Sequence, residues 1–112
     1  MPIHAQDYEK VCVIGLQGDF VGDETAAAIT AVNDGISKRQ VVDYVLDFQT
    51  CTMIDSQGLE TMLAIKRKCE ELFGCVKLIN LDDHCRKILE ITRIESRFEC
   101  CRDLPSALKT MR

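Results

Sequence analysis

Apolar positions along the chain fall into short runs separated by stretches of helical spacing, and the two patterns alternate. Val11 to Leu16 is an apolar run rich in β-branched residues and closed by Gln17 and Gly18, which predicts a strand. The polar stretch before it supplies a hairpin partner. From Asp23, read as an N-cap, the residues Thr25, Ala28, Ile29, Val32 and Ile36 recur at helical spacing until Gly35 and Ser37 weaken the pattern. Val41 to Phe48 is a second, nearly continuous apolar run, as expected of a central strand covered on one or both faces. After the connection Thr50 to Asp55, the positions Leu59, Met62, Leu63, Lys66, Cys69 and Phe73 mark an amphipathic helix with Gly74 as its C-cap. Cys75 to Ile79 is the third run. Asp82 or Asp83 caps the next helix, whose face is Cys85, Ile88, Leu89 and Thr92. Phe98 to Cys100 reads as a short last strand. Asp103 then caps a terminal helix with Pro105 in its first turn and Leu104, Ala107, Leu108 and Met111 on one side.

Strand alternates with helix throughout, which argues for an α/β fold: a mixed, mostly parallel sheet of about four or five strands with about four helices packed against it. A chain of 112 residues accommodates one such domain, 1–112, with its core between about residues 8 and 111.

Composition narrows the function more than the fold. With 46% hydrophobic and 29% charged residues the chain reads as an ordinary soluble domain. Met1 to Lys10 lacks the charged start and apolar centre of a signal peptide, and no stretch reaches the roughly 20 apolar residues of a membrane span. The expected location is cytoplasmic, without membrane insertion. A net charge of -4 with dispersed basic residues speaks against direct nucleic-acid binding. The one basic triplet, Lys66, Arg67 and Lys68, precedes Glu70 and Glu71 on a helix and reads as a solvated face with intrahelical ion pairs. Seven cysteines invite a metal or disulfide reading, but they contain no C-x-x-C pair, and His4 and His84 complete no zinc-like spacing. Reduced thiols on apolar positions are expected, with no metal and no cofactor. If Cys100 and Cys101 lie on a strand they point to opposite faces.

The most informative segment is Leu46-Asp47-Phe48-Gln49-Thr50-Cys51-Thr52-Met53-Ile54-Asp55-Ser56-Gln57-Gly58-Leu59, where an apolar strand gives way to a helix. By helix chemistry alone, the Ser56 hydroxyl caps that helix for roughly 1 kcal/mol, a role Asp55 fills equally well. The segment resembles the signature of the STAS domain family, in which a strand ending in Asp and an apolar residue leads into an apolar-Asp-Ser-x-Gly-Leu turn. Leu16-Gln17-Gly18-Asp19-Phe20, Cys75 to Asn80, Arg86 to Ile94 and Leu104 to Leu108 resemble the family's other landmarks in order and spacing. Two positions depart from the pattern. Val21 stands where relatives usually carry an acid, with Asp23 two residues later, and Gln57 stands where many carry a second hydroxyl.

The resemblance implies a single STAS domain acting as a non-enzymatic, anti-sigma factor antagonist-like interaction module. Its partner is then an anti-sigma factor or switch-type serine kinase, with phosphorylation of Ser56 breaking the complex and a serine phosphatase restoring it. Asp23, Asp55, Ser56, Gln57, Gly58, Glu60 and Met62 form the expected partner surface, Gly58 by permitting close approach and Met62 as an exposed contact. The alternative is a subunit of a lipid-transport ATPase complex or stress-sensing assembly, docking by the same turn without modification. No G-x-S-x-G elbow or Gly-rich phosphate loop points to an enzyme.

Overall fold

The computed structural model describes residues 3–111; Met1, Pro2 and Arg112, which the sequence reading includes in the domain, lie outside the described residues. In chain order the elements are β1 (Ile3–Tyr8), β2 (Val11–Leu16), a 3-10 turn (Gly22–Thr25), α1 (Ala26–Arg39), β3 (Asp43–Asp47), α2 (Ser56–Glu71), β4 (Val76–Ile79), α3 (Asp83–Ile91), a second 3-10 turn (Glu95–Arg97), β5 (Glu99–Cys101) and α4 (Leu104–Lys109). The strands form one five-stranded sheet in the order β1-β2-β3-β4-β5. β1 pairs antiparallel with β2, and the other three pairings are parallel.

Strand alternation divides the core in two. Cys12, Ile14 and Leu16 of β2, Tyr44 and Leu46 of β3, and Val76 and Leu78 of β4 face the layer that holds α1, α2 and α3. Val11, Val13, Val45 and Ile79 face the other way, against Ala107 of α4. Both faces of the central strands are therefore covered, which explains why their sequences read as continuous apolar runs. Cys100 packs with the first layer and Cys101 with the second, as their adjacency on a strand requires. Lys77 is the buried exception on the α4 face. Its ammonium donates to the Ala107 carbonyl at 3.2 Å and to the Thr110 hydroxyl, and it pairs with Glu99 at 3.4 Å, so it ties the end of α4 to the sheet. Lys66 and Glu70 form the intrahelical ion pair expected of the basic triplet, at 2.6 Å.

Several element ends differ from those the sequence predicts: β3 occupies only the middle of the run Val41 to Phe48, and β5 starts one residue later than Phe98 and ends at Cys101. α1 does not start from Asp23. That residue sits inside the 3-10 turn, and the helix runs through Gly35 to Arg39. α2 does end near Gly74, but the left-handed residue is Phe73, at φ 64°. Phe73 N–H donates to the Glu70 carbonyl and Gly74 N–H to the Cys69 carbonyl, the paired bonds of a Schellman ending. Gly74 is needed for a different reason: a Cβ there would lie 1.9 Å from the Val42 carbonyl oxygen. At α3, Asp82 rather than Asp83 is the cap, accepting from Cys85 N–H at 2.7 Å.

Candidate functional site

The site lies beyond the C-terminal ends of β2 and β3, where two loops run side by side. Phe20 N–H donates to the Met53 carbonyl at 2.9 Å, Asp55 N–H donates to the Phe20 carbonyl at 3.4 Å, and Phe20 and Ile54 form a parallel bridge. Side chains extend this seam in both directions. Gly18 N–H donates to the Thr50 hydroxyl, which donates to the Leu16 carbonyl, while Thr52 donates to the Asp19 carboxylate through both its N–H and its hydroxyl at 3.0 Å. Thr25 and Thr61 share a hydroxyl contact at 2.9 Å.

Asp55 is the joint between the loops and α2. Its backbone is extended, and one carboxylate oxygen accepts from Gly58 N–H at 2.9 Å as the helix N-cap. The other oxygen accepts from Gly22 N–H at 2.9 Å across the seam. Both oxygens are thus engaged within the molecule, so Asp55 holds the turn that displays the neighbouring Ser56. Ser56, read from helix chemistry as a cap, is not one. It is the first residue of α2, exposed, and its hydroxyl has no partner among the described residues. That hydroxyl stands at the N-terminal end of α2, the end that carries the unpaired first-turn N–H groups and the positive pole of the helix dipole.

The other predicted residues divide. Gln57 and Glu60 are exposed. Gln57, one of the two departures from the family pattern, donates through its amide nitrogen to Asp23, the acid two residues after the other, at 2.9 Å. Asp23 therefore belongs to this surface, through the loop rather than through a helix cap. Gly58 is buried, and a Cβ on it would stand 2.3 Å from the Phe20 carbonyl oxygen, so the close approach it permits is internal. Met62 is fully buried in the core and presents nothing outward, because its position on α2 faces the sheet. The methionine on this surface is Met53, 40% exposed between Thr52 and Ile54. Hydropathy spacing passes over Met53 because it lies in a loop.

Acidic side chains dominate the surroundings. Residues 17–31 and 48–61 carry Asp19, Asp23, Glu24, Asp55 and Glu60 and contain no lysine or arginine. Among the described residues no cluster of three or more His, Cys, Asp or Glu side chains is arranged to hold a metal ion, and no helix is long and apolar enough to cross a membrane.

A sheet of four parallel strands and one antiparallel edge, three helices on one face and a fourth on the other, with a serine opening the helix after β3, defines the STAS class of α/β domain. The STAS domain family model matches residues 2–107, and the chain belongs to that family. Among solved structures, an anti-sigma factor antagonist from Mycobacterium paratuberculosis superposes with a TM-score of 0.82 at 20% identity, over 99% of this chain and 93% of that one. An anti-sigma-factor antagonist (STAS) domain protein from Planctomyces limnophilus gives 0.81 at 16% identity, over 97% of each chain. The phosphorylated form of the Bacillus cell fate determinant SpoIIAA gives 0.76 at 18%, over 99% of this chain and 100% of that one. At these identities the likeness is one of fold. No curated protein sequence matches.

Proposed function

We propose that this protein is a non-enzymatic regulatory interaction module of the anti-sigma factor antagonist kind, acting on transcription in the cytoplasm and switched by phosphorylation of Ser56. One observation carries the reading: Asp55 caps α2, leaving the Ser56 hydroxyl exposed and unbonded at the first helical position. Phosphorylation there removes no internal hydrogen bond. The added charge of about -1.5 to -2 sits against the first-turn N–H groups, where the helix dipole favours it. The domain stays folded while its surface changes. An anti-sigma factor or serine kinase docked over Ser56, Gln57 and Asp23 then meets a dianion on a surface that is already acidic, and like-charge contact and desolvation weaken the complex. A serine phosphatase restores binding.

Pull-downs from the native cell with wild type, Ser56→Ala and Ser56→Asp test this, with intact-mass analysis after incubation with the captured kinase and ATP. The expected result is one added phosphate on wild type and none on Ser56→Ala. Ser56→Asp should lose its partner by roughly tenfold or more, which is about 1.4 kcal/mol. Phosphorylation of Ser56→Ala to the wild-type level removes the switch assignment. Equal retention of a transporter ATPase or stress-sensing assembly by wild type and Ser56→Asp establishes the docking-subunit alternative instead.

A further inference from the structure

Cys51, in the loop that leads from β3 to Asp55, and Cys85, in the first turn of α3, bring their sulfurs to 4.0 Å although they are 34 residues apart. Both side chains are buried. Cys85 Sγ also points at the Cys51 carbonyl at 3.5 Å, and Cys51 Sγ at the Met53 carbonyl at 3.3 Å, so the two thiols lie in one shared contact beneath the loop. The geometry points to a reversible oxidation site: Cys51 and Cys85 form an internal disulfide on exposure to a hydroperoxide, tying the Ser56-bearing loop to α3. Bond formation requires the sulfurs to close by about 2 Å, from 4.0 Å to the S–S bond length.

The reaction balances with one oxidant. One thiol gives up its proton, the resulting thiolate sulfur attacks hydrogen peroxide, the O–O bond breaks, and a sulfenic acid forms as the departing hydroxide takes up that proton and leaves as water. The second thiol attacks that sulfur, the S–S bond forms, the S–O bond breaks, and a second water leaves. Two thiols and one peroxide yield one disulfide and two waters. Burial raises both thiols above their ordinary value, which keeps the resting pair neutral and unreactive. Reaction therefore waits on opening of the loop, whose residues Gln49, Thr50, Thr52 and Met53 on either side of Cys51 are exposed. Once formed, the bridge restrains the same loop that holds the Asp55 cap, a control on the site that operates without any change at Ser56.

The test uses the full chain, fully reduced and then titrated with hydrogen peroxide, followed by acid quench, unfolding, alkylation of remaining thiols and non-reducing peptide mapping. The expected first product links the Cys51 and Cys85 peptides, disappears with dithiothreitol, and is absent from Cys85→Ala. Hydrogen exchange over residues 48–57 should slow in the oxidised protein. A first disulfide that joins other cysteines or two molecules overturns the proposal, as does recovery of Cys51 and Cys85 fully alkylated while other thiols are oxidised. The wild-type map decides the matter even if Cys85→Ala folds poorly.

Discussion

Replacing Gly58 by alanine sets two physical effects against each other with opposite signs. Helix propensity alone favours the change, because Ala is better than Gly inside a helix by about 0.8–1.0 kcal/mol. The structure opposes it: the new Cβ would lie 2.3 Å from the Phe20 carbonyl oxygen and 2.9 Å from Ile54 Cγ2. An ordinary C···O contact needs about 3.3 Å or more, so a backbone must move by roughly 1 Å. Phe20 is poorly placed to give way. Its N–H and carbonyl are both bonded across the seam, and its fully buried ring packs edge-on against Phe48 with centroids 6.4 Å apart. Overpacking of this kind costs about 1–3 kcal/mol. Because the clash is with a hydrogen-bonded backbone oxygen, the cost lies toward the upper end, about 2–3 kcal/mol, and after the propensity gain the net loss is about 1–2 kcal/mol. Urea unfolding followed by circular dichroism should show the midpoint falling by roughly 1 M with an unchanged slope. Ser56→Ala is the paired control, expected within about 0.5 kcal/mol of wild type because the hydroxyl neither caps nor packs. A Gly58→Ala protein as stable as wild type or more so would refute the internal-contact argument.

Three further outcomes follow from the same geometry. Asp55→Ala removes the α2 cap and the acceptor for Gly22 N–H together, so a loss of about 1–3 kcal/mol is expected from its thermal midpoint, with Asp55→Asn recovering part of it. Phe73→Gly should raise the urea midpoint, since a left-handed non-glycine residue costs about 1–2 kcal/mol and a side chain 95% exposed loses nothing by deletion; a lower midpoint would contradict the Schellman ending. Stability should also fall at alkaline pH. Burial pushes Cys12 up to about 11 and Cys69 up to about 12, and a thiol raised in the folded state contributes stability that is complete below its ordinary value of about 8.5 and lost as pH rises through the folded value. Thermal midpoints between about pH 8 and pH 11 check this, and a flat profile would argue against buried neutral thiols.

Repeating period and helix-end chemistry were legible along the chain because both are local. The apolar runs at Val11 to Leu16 and Cys75 to Ile79 place strands, the spacing from Leu59 to Cys69 places α2, and Asp103 with Pro105 places the start of α4. Motif resemblance added the serine. Which of two adjacent polar residues caps α2 was not legible, because Asp55 and Ser56 are equivalent in propensity and differ only in the direction from which the chain enters the helix. That direction is set by the bridge between Phe20 and Ile54, residues 34 positions apart. The same distance problem hid Asp23 opposite Gln57, Met53 rather than Met62 at the surface, and Cys51 against Cys85. Sequence by itself determined the order and type of the elements and brought attention to Ser56. Only the tertiary structure, by zipping two loops together, decided that Asp55 holds the helix and leaves the Ser56 hydroxyl free.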